Sequence, residues 1–229
     1  MKSKITGLEQ IAFLFLLLVF ILGLYFGFTD DIYFDTVFTV EDGVIEYLTA
    51  VMLISISFLS LFRLIKLGKV KKALWILGTS LFVLLFVFGA GEEISWGQRI
   101  FDVESSEFFK ENNAQGETNL HNMVVGGKKV NKVIFSQLLT LVLVIYLIVC
   151  PILFRKASWF KSLANRFAVP IPRWSHTIAF LLSTAFVLAI PSDRKWEVYE
   201  LAFGVIFLLI FINPLNGEIF KNQEEANYL

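Results

Sequence analysis

The sequence predicts an all-α integral membrane protein: a six-helix transmembrane bundle with a long, partly helical outer loop between the third and fourth spans. Three observations support this fold class. The 229 residues are 56% hydrophobic and include 25 Phe, which exceeds the roughly 45–50% apolar content of soluble domains. Apolar stretches recur at about the 20 residues that a bilayer crossing requires. A single transmembrane domain accounts for residues 1–229, since only one connection between these stretches is long.

The six predicted spans follow from this length requirement. They cover roughly residues 11–28, 44–65, 73–90, 133–154, 175–190 and 198–212. The fifth is the shortest, because Pro191 ends it. The first begins after Lys2 and Lys4, as a signal peptide would. Its apolar run is longer than the roughly 7–15 residues of a signal-peptide core and no A-x-A-like cleavage site follows, so we predict a span.

The positions of lysine and arginine predict the orientation, because basic residues concentrate in the cytoplasmic loops of membrane proteins. Two short connections, residues 63–72 and 155–173, are rich in Lys and Arg. Six crossings place both connections on one side. That side is then the cytoplasm, both termini lie there, and the connection between the third and fourth spans lies outside.

The overall charge argues against nucleic acid as a partner. Lys plus Arg and Asp plus Glu number 20 each, so the charge balance does not favour nucleic acid, and the predicted partner is the lipid bilayer. The single Cys150 excludes an internal disulfide and a thiol metal cluster. Most acidic residues fall on the predicted outer side, an excess that topology does not require.

Two adjacent acids, Glu92 and Glu93, come directly after the third apolar span, in the stretch GEEISWGQRIF. Negative charge is disfavoured at the C-terminal end of a helix, so these carboxylates need compensation. If the helix continues, Glu92, Trp96 and Arg99 share one face, and Arg99 can pair with Glu92. The second carboxylate still needs a cation, a proton or water.

A second polar stretch, NNAQGETNLHN, follows in the same loop and contains Glu117 and His121. The two residues are spaced i, i+4 and share a helix face if the segment is helical from about Thr118 onward. A Glu and a His one turn apart can bind a metal ion or act as an acid and base pair. The same pattern also occurs as a simple surface hydrogen bond.

The predicted topology brings acids from separate parts of the chain to the outer membrane face. Carboxylates with one imidazole suit Mg, Mn or Ca, or Zn or Fe if the His binds, so a divalent metal ion is the candidate cofactor. The candidate metal ligands are Glu46, Glu92, Glu93, Glu117, His121 and Glu197. The same Glu92, Glu93, Glu117 and His121 are the candidate catalytic residues, with Trp96, Gln98, Arg99 and Asn122 as substrate-binding residues.

The two stretches GEEISWGQRIF and NNAQGETNLHN resemble a signature of a group of bacterial polytopic membrane proteins of unassigned function. This resemblance covers about a seventh of the chain. It implies a multi-pass protein of the bacterial cytoplasmic (inner) membrane and transfers no activity. HExxH and GxSxG motifs are absent, and the DDxxxD pattern that begins at Asp30 is weak evidence for a prenyltransferase.

Two classes of function stay open. In the first, the chain is an enzyme with a metal-assisted or acid-base site acting on a lipid or lipid-linked substrate. A short helix capped by Ser105 or Ser106 would lay Phe108 and Phe109 on the membrane surface and cover the site. In the second, the chain is a transporter, a cation-binding component or an assembly partner. No charged residue lies near the middle of a predicted span, which disfavours a transporter.

Overall fold

The structure is a computed structural model, and it describes residues 5–120, 122–125, 128–129 and 139–222. These residues are mainly helical, with one two-stranded antiparallel sheet. The α-helices are α1 (Gly7–Thr29), α2 (Asp31–Tyr33), α3 (Val44–Leu67), α4 (Ala73–Glu93), α5 (Glu107–Asn112), α6 (Leu139–Val144), α7 (Cys150–Lys156), α8 (Ser158–Arg166), α9 (Trp174–Ala189) and α10 (Lys195–Ile212). The strands are β1 (Val124–Val125) and β2 (Lys128–Lys129).

Three helices of the described residues, α1, α3 and α4, are long and apolar enough to cross a membrane. A fourth crossing is added if the helical stretch Leu141–Lys156 and α8, which meet at a bend of 118°, are taken together. The chain is therefore a helical membrane protein by the length and composition of its helices. The predicted first three spans match α1, α3 and α4, and the predicted fourth begins in residues 133–138, outside the described residues.

The last two predicted spans correspond to shorter or more polar helices. Helix α9 is apolar but has only 16 residues, and it stops before Pro191, which cannot continue a helix. Helix α10 has 18 residues and carries Lys195, Glu197 and Glu200 in its first two turns. The helices that the sequence predicts are therefore present, while the six-span arrangement stays a prediction.

Helix packing centres on α10. Helix α3 packs against both α4 and α10, and α10 also packs against α9 and α1. Val198, Leu201 and Ile206 of α10 are fully buried. Gly204 allows the close approach of α3, since a Cβ there would lie 3.1 Å from the Cβ of Met52. Small residues permit such close contacts between helices.

The bundle has two polar ends, which we name by one residue each. At the Glu46 end, α3 and α10 begin and α1 and α4 end; Ser192 donates to Asp35 there over 2.6 Å, which joins the start of α10 to the segment after α1. At the Glu9 end, α1 and α9 begin and α10 ends. There the Glu9 and His176 side chains meet with Oε1 and Nε2 2.9 Å apart, and both are fully buried.

The long connection after α4 is ordered by turns and side chains as well as by α5. Helix α5 begins after Ser106, as predicted, although the Ser106 side chain makes no capping hydrogen bond. The Phe108 ring is exposed on this helix. Lys110 donates to Glu104 over 2.9 Å, and this hydrogen bond with the ammonium charge lowers the pKa of the Glu104 carboxyl.

Candidate functional site

Four carboxylates from three helices lie together at the Glu46 end, and we call them the carboxylate cluster: Glu46, Glu93, Glu197 and Glu200. Glu46 lies in the first turn of α3, Glu93 is the last residue of α4, and the other two lie in the first two turns of α10. Glu93 and Glu200 both interact electrostatically with Glu46 and Glu197, and with each other. The packing of α3 between α4 and α10 brings these acids together.

Two members of the carboxylate cluster have nearby compensation. The Glu46 carboxylate accepts a short hydrogen bond from the backbone N–H of Asp42, and it lies at a helix N-terminus, where negative charge is favourable. Glu197 lies in the first turn of α10, with its Oε1 3.7 Å from Nη2 of Arg194. The same guanidinium lies 3.6 Å from the Glu41 carboxylate.

The other two members are less compensated. Within the part of the chain that the structure describes, neither Glu93 nor Glu200 has a hydrogen-bond or ion-pair partner. Glu93 also stands at the C-terminal end of α4, where the helix dipole opposes a negative charge. As whole residues, Glu200 is exposed and Glu93 is half-buried.

Glu92 has a different environment from its neighbour Glu93. It is buried and accepts hydrogen bonds from Trp96 Nε1 over 2.9 Å and from the backbone N–H of Leu120 over 2.6 Å. These bonds tie the distant part of the loop to the end of α4. The two adjacent acids therefore have different roles. Glu92 holds the loop against the end of α4, and Glu93 belongs to the carboxylate cluster.

The backbone turns sharply directly after α4. Ser95, Trp96 and Gly97 all adopt positive φ angles of 46°, 56° and 76°, a left-handed conformation that is uncommon for residues other than glycine. The turn folds the Trp96 ring back over Gly91, where a Cβ would lie 2.8 Å from a ring carbon. The sequence GEEISWG thus requires glycine where the indole covers the helix.

This turn makes the predicted pairing of Arg99 with Glu92 wrong. The pairing assumed a helix that continues past Trp96, but α4 ends at Glu93 and the helical spacing is lost. The Arg99 guanidinium instead pairs with the carboxylates of Asp42 and Glu117. Arg99 therefore joins the long loop to the segment that precedes α3.

Glu117 accepts several hydrogen bonds in a buried position. Ser95 Oγ donates to it over 2.7 Å and Asn119 Nδ2 over 3.1 Å, in addition to Arg99. Asn119 Nδ2 also donates to Ser95 Oγ over 2.9 Å. The carboxylate of Glu117 therefore serves as an acceptor that closes the loop against the turn after α4.

Residues 117–120 are not helical, so the condition under which Glu117 and His121 would share a helix face is not met there. Asn113 explains the difference: its Oδ1 accepts from the N–H groups of Gln115 and Glu117, over 2.9 and 3.2 Å. Asn side chains that bond nearby backbone groups compete with helix formation. His121 lies outside the described residues, and so does its predicted pairing with Glu117.

The remaining predicted substrate residues also have protein partners. Gln98 Oε1 accepts from Ser105 Oγ over 2.9 Å and from the Thr118 N–H over 2.8 Å. Asn122 Nδ2 donates to Gln115, whose own amide donates to Glu41. These contacts stabilise the loop, and binding of a substrate by Gln98, Arg99, Trp96 and Asn122 stays a prediction.

Comparisons with protein-family models, curated proteins and solved structures returned no match. The resemblance of the GEEISWGQRIF and NNAQGETNLHN stretches to a bacterial membrane protein group stays a prediction. The site is therefore interpreted from its own residues.

A metal site was predicted from Glu46, Glu92, Glu93, Glu117, His121 and Glu197. Across residues 5–120, 122–125, 128–129 and 139–222, no group of three or more His, Cys, Asp or Glu is arranged to hold a metal ion. The metal site stays a prediction. Glu46, Glu93 and Glu197 come together, whereas Glu92 and Glu117 bind the loop.

Several residues that shape this site are not among the predicted site residues. Glu200 is one of them, and its i, i+3 spacing from Glu197 was the available signal. Ser95, Asn113 and Asn119 were not singled out, because the hydrogen bonds that they make depend on the turn after α4. Asn-rich and Gly-containing sequence favours such side-chain turns, but it does not specify their partners.

Proposed function

We propose that the chain crosses the bilayer six times, with both termini in the cytoplasm of a bacterium and the Glu46 end at the outer face of its inner membrane. Helices α9 and α10 have 16 and 18 residues, or about 24 and 27 Å at 1.5 Å per residue. Such helices nearly span a hydrocarbon core of about 30 Å. The basic connections 63–72 and 155–173 both lie at the Glu9 end, in agreement with a cytoplasmic side.

We further propose that the carboxylate cluster is the functional site of an enzyme that acts by acid–base chemistry on a lipid or lipid-linked substrate. One observation carries this proposal: Glu93 and Glu200 have no partner among the described residues, while the adjacent Glu92 and the nearby Glu117 accept hydrogen bonds from the loop. Carboxylates that lie near one another without a counter-ion relieve their repulsion when one of them takes up a proton or when they bind a cation. A protonated carboxyl near an ionised one supplies a general acid and a general base.

The surroundings favour a substrate that approaches from the membrane. Trp96, Phe101 and Phe108, in and after the turn that follows α4, are all exposed. Aromatic side chains are enriched where a membrane meets water, and a lipid headgroup lies at that level. In this arrangement Glu93 and Glu200 exchange protons with the substrate, while Glu46 and Glu197 maintain the negative field around them.

The test is a lipid conversion assay with purified protein in vesicles of bacterial polar lipids, analysed by mass spectrometry. We expect the wild-type protein to consume a lipid species. Glu93→Gln and Glu200→Gln should slow this by about 10²–10⁴-fold, the usual contribution of a general acid or base. Glu107→Gln, which removes an exposed acid of α5, is the matched control and should retain activity.

Stability separates a functional acid from a structural one in this experiment. Because Glu93 faces other carboxylates without a partner in the described part of the chain, Glu93→Gln should unfold at the wild-type temperature or above it. Conversion at the wild-type rate by both Gln variants would exclude the acid–base proposal, as would a wild-type protein that changes no lipid.

Cation binding at the carboxylate cluster is the second candidate function, and the same partnerless Glu93 and Glu200 favour it. Carboxylate oxygens are the ligands that Mg²⁺ and Ca²⁺ take, and because no three acids of the described residues are arranged around one ion, binding would have to draw these side chains together. If this function is correct, either ion should raise the unfolding temperature of the wild-type protein, and Glu200→Gln should abolish the increase. An equal increase in both proteins would place the ion elsewhere.

A further inference from the structure

A second candidate site lies at the Glu9 end, away from the carboxylate cluster. A recess of about 530 Å³ opens where α7 ends and α8 begins, beside the segment that follows α10. Its volume falls in the range of small-molecule sites, about 300–1,000 Å³. Phe154 and Leu215 form its apolar walls. The carboxylate cluster is separated from it by the length of α10, so the two features are independent.

Three cationic side chains line this recess: Arg155, Lys156 and Lys161. No acidic residue contributes to the lining, and within the described ranges none of the three forms an ion pair. All three are exposed. A concentration of positive charge without a protein counter-ion attracts an anion, and Arg and Lys both bind phosphate through charge-assisted hydrogen bonds.

Two of the three cations, Arg155 and Lys161, are already oriented by contacts within the protein. The Arg155 guanidinium donates to the Pro151 carbonyl over 2.8 Å and lies 4.6 Å from the centre of the Trp174 ring. Lys161 Nζ lies 5.7 Å from the centre of the Phe154 ring. A side chain that is held in place before binding loses less conformational entropy when an anion binds.

The setting of the recess indicates a lipid as the source of the anion. Helix α8 bends by 118° away from the preceding helical stretch, as a helix does when it leaves the membrane interior and lies along the surface. Trp159 follows the lining residue Ser158 in the chain, and the Trp174 ring lies beside Arg155. The two Trp residues are exposed by 65% and 45%. Exposed Trp side chains at helix ends mark the level of the headgroups, and basic pockets between helices at this level bind anionic lipids.

We propose that this recess binds the phosphate of an anionic phospholipid. Lys156 and Lys161 contact the phosphate oxygens, and Arg155 contributes a fixed positive charge beside Trp174. The walls formed by Phe154 and Leu215 contact the glycerol and the upper acyl chains. This function is independent of the acid–base proposal, because it uses no residue of the carboxylate cluster.

The test measures lipid binding to the full-length protein, delipidated in a neutral detergent, by native mass spectrometry. Phosphatidylglycerol, phosphatidylcholine and inorganic phosphate are the three probes. We expect phosphatidylglycerol to bind the wild-type protein well above the other two. Each cation should strengthen the binding of an anionic lipid about fivefold. The double variant Lys156→Gln/Lys161→Gln removes two cations and should weaken the binding of phosphatidylglycerol by roughly 30-fold.

The matched control is Lys69→Gln/Arg166→Gln, which removes two exposed cations at the same end of the bundle but outside the recess. It should bind phosphatidylglycerol like the wild-type protein. Equal weakening in both double variants would show a general charge effect and overturn the proposal. Equal binding of phosphatidylcholine and phosphatidylglycerol would also overturn the proposal. If inorganic phosphate binds with the same dependence on Lys156 and Lys161, the ligand is a soluble anion and the lipid proposal is wrong.

Discussion

Replacing Glu9 by Ala should destabilise the fold more than removing any exposed acid. Glu9 Oε1 receives the Nε2–H of His176 over 2.9 Å, and Oε2 accepts from the Thr6 N–H over 2.7 Å and from Asn213 Nδ2 over 3.2 Å. Nδ1 of His176 accepts from the Arg173 N–H, so Nε2 carries the ring proton and the imidazole is neutral. Glu9→Ala leaves the buried Nε2–H of His176 without an acceptor and removes the acceptor of the Thr6 and Asn213 donors.

The expected loss follows from the burial of the group. Glu9 and His176 are 1% and 0% exposed. A buried donor left without an acceptor costs about 1–3 kcal/mol, and a hydrogen bond to a charged group contributes about 1.5–3 kcal/mol, so losing the bonds from His176, Thr6 and Asn213 should cost about 3–5 kcal/mol in total. At roughly 2–4 °C per kcal/mol for a chain of this size, the unfolding temperature should fall by about 6–20 °C. Thermal unfolding in neutral detergent, followed by intrinsic fluorescence, measures this change.

The control is Glu218→Ala at the same end of the bundle. Glu218 pairs with Lys221 over 3.2 Å, and its side chain is 74% exposed, so its loss should change the stability by about 1 kcal/mol or less. His176→Ala should resemble Glu9→Ala, and the double variant should lose less than the sum of the single losses, because both remove one interaction. An unfolding temperature of Glu9→Ala within about 2 °C of wild type would refute this reasoning.

Two further substitutions test how α4 and the long loop are held. A Cβ at Gly78 would lie 1.8 Å from the Phe167 carbonyl oxygen. Gly78→Ala should therefore lower the unfolding temperature, because overpacking costs about 1–3 kcal/mol or more. Gly7→Ala is the control and should leave the unfolding temperature unchanged, since no atom lies within 4 Å of a Cβ there. Asn113→Ala removes the acceptor for the Glu117 N–H, so hydrogen exchange in the loop should accelerate while the helices keep their protection.

The helices could be predicted because their cause is local in sequence. A run of apolar residues about as long as the bilayer is thick must form internal hydrogen bonds, and the helix is the structure that satisfies them within one segment. Helices α1, α3 and α4 therefore lie where the apolar runs lie. The bend between Leu141–Lys156 and α8 was not predicted, since it follows from how the helix end meets its surroundings.

The loop could be predicted only in part. The short helix predicted after Ser105 or Ser106 is present and begins after Ser106. The partners of Arg99 could not be found from spacing, because the positive φ angles of Ser95 and Trp96 break the helical register on which the prediction rested. Once the chain turns there, Arg99 reaches Asp42, which lies far away in sequence.

The two polar ends of the bundle differ in whether their carboxylates have hydrogen-bond donors. This difference favours the Glu46 end as the place of the function. At the Glu9 end, the buried carboxylate of Glu9 has a donor for each oxygen and is enclosed by protein. At the Glu46 end, the loop satisfies Glu92 and Glu117 in the same way, but Glu93 and Glu200 lie near other carboxylates without a hydrogen-bond or ion-pair partner in the described residues. Arranging like charges in this way costs stability, and proteins keep such arrangements where a ligand or a proton compensates them.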